Sequence, residues 1–166
     1  MLPWNQRAIE EASLFNPAFC GALIVKSVEE YASKVDGGMP FPLSFLILPV
    51  VLHRATREVL PTSTITSLHA WLQDNRDPLV DFATRARRLR HIAQEAMMFS
   101  LLHGTLALST HGALLAGERR VTVTDKTMSL FTREARECFE RARFLGRWFA
   151  VAGTPATVMA AWGVSP

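Results

Sequence analysis

The sequence predicts a mainly α-helical domain with a small β-hairpin, in a winged-helix-like arrangement. Three observations predict it. Asn16-Pro17, Asp77-Pro78 and Thr154-Pro155 each place a capping side chain before a proline, which fits the first helical turn because its missing N–H costs nothing there. Long segments repeat apolar residues at helical spacing. Residues 105–115 switch to a strand–turn–strand pattern. At 166 residues, with 49% apolar and 20% charged, the chain fits a single helical domain, 1–166, that can bury a core without staples.

The first helix is predicted from Pro17 to about Ser33, before Gly37-Gly38 breaks the chain and Pro40 and Pro42 hold it extended. A second stretch covers about Leu43 to Leu60. Its first half is apolar all round, as in a helix buried on every side. In its second half Leu52, Ala55 and Val59 share one face, and Arg54 and Glu58 can pair at i,i+4 on the other. Pro49 reads as a kink or restart and Pro61 as the end. Thr62 and Ser63 can cap a short helix to about Asn75, with Ile65, Leu68 and Leu72 as its stripe and Trp71 beside it.

Asp77-Pro78 then opens the longest middle helix, to about His103, with Phe82, Leu89, Ala93, Ala96 and Ser100 along one side and Gly104 as a stop. After the hairpin, Arg120 to Thr124 alternates like a further short strand. Asp125 or Thr127 can cap a long helix to about Ala152, striped by Phe131, Ala135, Cys138, Ala142, Leu145 and Phe149. A last short helix runs from Pro155 to Trp162. In this order residues 62–124 form the winged-helix-like core, flanked by helices within 17–60 and 126–162.

Phosphate-cradling loops, H-E-x-x-H and paired C-x-x-C motifs are all missing from the sequence. His53, His69, His91, His103 and His111 have no i,i+3 or i,i+4 pairing, so neither a metal nor another cofactor is expected. Cys20 and Cys138 stand far apart and read as buried thiols. Ser109 and His111 read as turn residues rather than parts of a catalytic triad. Arg133–Glu137, Arg136–Glu140 and Glu137–Arg141 are spaced as pairs on a solvated helix face. The chain is therefore expected not to be an enzyme.

The polar start and the lack of a long apolar run suggest a cytoplasmic chain that does not enter a membrane. The net charge of +3 permits an anionic partner without requiring one. The run Arg85, Arg87, Arg88 and Arg90 contains no acid and can meet DNA, an acidic protein surface or only solvent. Mean hydropathy is +0.13, consistent with apolar surface covered by a partner or with a well-filled core. Met97, Met98 and Leu101 lie off their helix's core stripe, and Phe144 and Trp148 lie about 100° from theirs, so these five either pack against another helix of the same chain or are candidate partner anchors.

Two segments carry a resemblance. They are Leu14-Phe15-Asn16-Pro17-Ala18-Phe19 and the run from Leu48-Pro49 through His53-Arg54-Ala55-Thr56-Arg57-Glu58 to Leu60-Pro61, followed by Thr62 and Thr64. With the arginine-bearing helix, the hairpin and Gly163-Val164, nearly the whole chain resembles the middle component of bacterial three-component ABC systems, the group that includes Lamassu-type phage and plasmid defence. The resemblance implies an adaptor, encoded between an SMC-like ABC ATPase and an effector subunit such as a nuclease, that couples DNA sensing to effector release. It supplies no active site to carry over. It leaves Asn16, Pro17, His53, Arg54, Arg57 and Glu58 to serve the fold, the interface or both. The rival reading is a winged-helix DNA-binding regulator.

Overall fold

The computed structural model describes residues 6, 8–122, 127 and 129–165. A short helix, α1 (Ile9–Leu14), leads into α2 (Pro17–Ala32). Asn16 caps α2 as expected: its Oδ1 accepts from the Ala18 N–H at 2.8 Å and the Phe19 N–H at 3.4 Å, with Pro17 in the first turn. Asn16→Ala should therefore cost about 1 kcal/mol of stability in urea unfolding, and Asn16→Ser much less.

Helix α2 lies at the centre of the molecule. One side packs on α6 (Phe82–Leu102) and the other on α7 (Arg133–Ala150), while α3 (Ser44–Val51) covers both α2 and α6. Small residues permit these approaches. A Cβ on Gly21 would overlap the Ser100 hydroxyl and sit 3.0 Å from the Ala96 carbonyl oxygen. A Cβ on Gly146 of α7 would overlap the Ser27 carbonyl of α2. At the same crossing Ser27 Oγ donates to the Ala142 carbonyl at 2.8 Å, which satisfies a buried hydroxyl across the two helices.

The expected stretch from 43 to 60 is divided, but not at Pro49. A 3₁₀ turn (Phe41–Leu43) precedes α3, which holds Pro49 in its interior, and the break falls at Leu52-His53 before α4 (Arg54–Val59). His53 makes the restart because its Nδ1 accepts from the Thr56 N–H at 3.3 Å. The buried face of α4 also differs from the expected one. Thr56, Arg57 and Leu60 are buried, whereas Ala55 is exposed and Val59 is 48% exposed. Hydrogen bonds and ion pairs bury this face, and a hydropathy pattern does not register them.

Helix α5 spans Leu68–Asp74 and starts later than Thr62-Ser63 suggested; Ile65 is 93% exposed and takes no part in its stripe. Asp77-Pro78 opens only a 3₁₀ turn (Asp77–Leu79). The chain then passes through Asp81 at φ 55° before α6 begins at Phe82. The left-handed residue separates the proline from the helix it was expected to start. Helix α7 begins at Arg133, not at 125–127, with Thr132 Oγ1 accepting from the Ala135 N–H at 3.2 Å; the alternative cap Asp125 lies outside the described residues. The last helix, α8 (Pro155–Ala161), is capped by Thr154 as expected.

The hairpin forms from β2 (Leu106–Leu108) and β3 (Ala113–Ala116), with Leu108 opposite Leu114. A third strand, β1 (Met39–Pro40), joins antiparallel on the far side of β3, giving the order β1-β3-β2. The sheet thus draws on residues well before 62, so it is not built from 62–124 alone. Residues 120–122 are not in a strand, and 123–124 lie outside the described residues. Trp71 of α5, Trp148 of α7, Phe82 of α6 and Trp162 at the end of α8 form one aromatic cluster with ring centroids 4.6–6.3 Å apart. This cluster ties the short helices to the long ones. Among the described residues no helix is long and apolar enough to cross a membrane.

Candidate interaction site

The run from Pro49 to Glu58 folds into a polar knot. Helix α3 ends with carbonyls that have no helical partner, and two arginines from elsewhere take them. Arg57 of α4 donates from Nη1 to the Val51 carbonyl at 2.7 Å, and Arg85 of α6 donates from Nε to the Pro49 carbonyl at 3.1 Å. Cys138 Sγ lies 3.3 Å from the same Val51 oxygen. Arg57 is only 2% exposed, and its Nη2 donates to Glu134 of α7 at 2.8 Å while Glu137 lies 3.8 Å from its Nε. Glu137 also accepts from Arg133 at 2.9 Å, and Arg54 pairs with Glu58 at 2.8 Å on the outside.

Of the three pairs expected on α7, Arg133–Glu137 forms, and Arg141 instead donates to the Pro61 carbonyl at 3.0 Å. The acidic side of this helix does not simply face solvent. It neutralises a buried arginine.

His53 sits at the edge of this knot. Its Nδ1 is 2.8 Å from Thr56 Oγ1, which in turn accepts from Arg85 Nη2 at 3.3 Å. A ring accepting at Nδ1 is neutral with its proton on Nε2. Partial burial, then the charges of Arg85 and Arg57, hold its pKa below the ordinary value of 6.5. The unfolded chain therefore binds this proton more readily than the folded one. The contribution of His53 is complete above about pH 6.5 and is lost as the pH falls toward the folded value. His53→Asn keeps a capping oxygen without a titrating ring. Acidification from about pH 7.5 to about pH 5.5 should lower the urea midpoint of the wild type more than that of His53→Asn.

Two clefts flank this histidine. One, of about 810 Å³, is lined by Leu14, Phe15, Leu52, His53, Arg85 and Arg88, with Asp77 and Asp81 on its wall. The other, of about 460 Å³, lies between α4 and the end of α5 and includes His53, Asp74 and Asp77. The first brings together the two sequence segments singled out earlier, Leu14-Phe15 and Leu52-His53. Only their spatial convergence reveals this, because 36 residues separate them.

Nearly the whole sequence matches one family: residues 4–166 fit the model of the ABC-three component (ABC-3C) system Middle Component 3. The chain belongs to this family. No curated protein and no solved structure matches it.

In this middle component the candidate partner anchors separate. Met97, Phe144 and Trp148 are buried in the chain's own core, so they do not form a surface. Met97 Sδ lies 3.2 Å from Ser44 Oγ of α3, and Trp148 Nε1 donates to the Thr66 carbonyl at 2.7 Å. Their off-stripe positions arise because α6 and α7 are each covered on more than one side by α2, α3 and the short helices. Met98 is 56% exposed, with Leu101 half-buried beside it.

The basic candidates separate as well. Arg85 serves the knot and lies 5.2 Å over the Phe82 ring. Arg87, Arg88 and Arg90 are exposed. Burial pushes the Cys20 thiol up to about 12 and that of Cys138 to about 11, so both stay protonated near neutral pH. Among the described residues no group of three or more His, Cys, Asp or Glu side chains is placed to hold a metal ion.

Proposed function

We propose that this middle component is a non-catalytic adaptor of a cytoplasmic defence complex of Lamassu type. In this reading it bridges an SMC-like ABC ATPase and an effector subunit such as a nuclease. The family match over residues 4–166 carries the reading. The geometry supports it in two ways. The polar side chains of the motif run go mainly into holding α3, α4, α6 and α7 together. The remaining features are open clefts and exposed apolar and cationic side chains, which suit docking.

Co-expression with the adjacent genes and purification through a tag on this chain tests the proposal. The ATPase should co-elute in stoichiometric amount, and its absence from the eluate would contradict the adaptor role.

Arg87, Arg88 and Arg90, exposed on the helix that precedes the hairpin, favour a second reading as a DNA-binding regulator. Against it, Arg87 and Arg90 border one cleft and Arg88 another, so the cations do not form one stripe along a phosphate backbone. Direct binding would show as duplex affinity that falls steeply with salt.

A further inference from the structure

A third cleft, of about 630 Å³, opens between the start of α3, the first half of α6 and the segment after α8. Its floor is apolar, set by Phe41, Phe45, Ala86 and Val164, with the Phe41 and Phe45 rings edge to face at 5.4 Å. Arg87 and Arg90 stand on its wall, both exposed and without an ion-pair partner among the described residues. No acidic side chain lines it, whereas the two clefts beside His53 each contain aspartates. Some cations elsewhere are ion-paired, Lys26 with Glu29, Arg133 with Glu137 and Arg147 with Glu30. An apolar trough bordered by two unneutralised guanidinium groups is complementary to apolar side chains followed by carboxylates.

We infer that this cleft binds an acidic, apolar segment of a partner protein, its hydrophobic side chains on the Phe41–Phe45 floor and its carboxylates on Arg87 and Arg90. The floor favours a peptide over a nucleic acid. Its two rings, Phe41 and Phe45, stand edge to face at 81°, so they do not present parallel faces for successive stacked bases. This inference rests on the adaptor reading and specifies the contact through which it would act.

The test uses the full chain with the purified ATPase and third component encoded beside it. Affinity for each is measured across salt concentrations, together with affinity for a duplex and a single-stranded oligonucleotide. Arg87→Glu/Arg90→Glu should weaken binding to one of the two proteins by about tenfold or more at low salt. Ala86→Trp, which fills the trough, should do the same, with folding checked by circular dichroism. Arg136→Glu, an exposed arginine of α7 that lines none of the three clefts, should change it by less than about threefold.

If the wild type binds both proteins and neither cleft variant weakens either, the inference fails and the adaptor reading stands. If the wild type binds neither protein, both fail. An equal loss with Arg136→Glu, or a loss confined to the oligonucleotides, would also overturn it.

Discussion

Gly146→Ala should destabilise the chain by about 3 kcal/mol or more, among the largest effects of any single methyl group in the molecule. The added carbon would overlap the Ser27 carbonyl and lie 3.0 Å from Glu30 Cβ, and both belong to the backbone or stem of the central helix α2. Neither can swing aside, so α7 must move away from α2. That movement lengthens the Ser27–Ala142 hydrogen bond and loosens Leu145, Phe149 and Trp148 in the core. Gly21→Ala offers a graded comparison. Its worst neighbour is the Ser100 hydroxyl, a side chain that can rotate, so the loss should be smaller. Urea unfolding of both variants measures the order directly. Equal and small losses would mean that the α2–α7 approach is not as close as described.

Arg57→Met should cost about 2–4 kcal/mol, although it removes a charge from an almost fully buried position. Methionine fills part of the space but leaves the Val51 carbonyl without its 2.7 Å donor and frees Glu134 and Glu137 to repel one another. Glu134 is 65% exposed and regains water, which keeps the loss below that of a wholly buried pair. Arg57→Lys should recover only part of it, because one ammonium cannot serve a carbonyl and two carboxylates as a planar fork does. A double-mutant cycle with Glu134→Gln separates the ion pair from the carbonyl bond. If Arg57→Met matched the wild type in urea, the knot would not hold α4 to α7.

Much of this fold can be read from local chemistry. Asn16-Pro17 and Thr154-Pro155 start helices where they stand because cap and proline act within one turn. The hairpin follows from a change of period that needs no tertiary context. Asp77-Pro78 misleads because the next turn runs through a left-handed Asp81, a conformation its residue type does not announce. The strand Met39–Pro40 is two residues long and owes its existence to Leu114 and Ala113 across the sheet.

The candidate site was less legible for a related reason. Arg57 looks like a surface residue until Glu134 and Glu137, about 80 positions later, are brought against it. Helical spacing leaves Phe144 and Trp148 open to a partner or to this chain's own core, and the choice is made only when Trp71 meets Trp148 edge to face and Phe144 packs beside it. Met98 and the exposed arginines keep their place on the surface because, among the described residues, nothing later in the chain covers them.

Sedimentation velocity on the three purified components, mixed in all pairs and together, tests most directly whether this chain is the bridge. The account predicts that the ATPase and the third component co-sediment only when the middle component is present. A complex of those two that forms equally well without it would contradict the account.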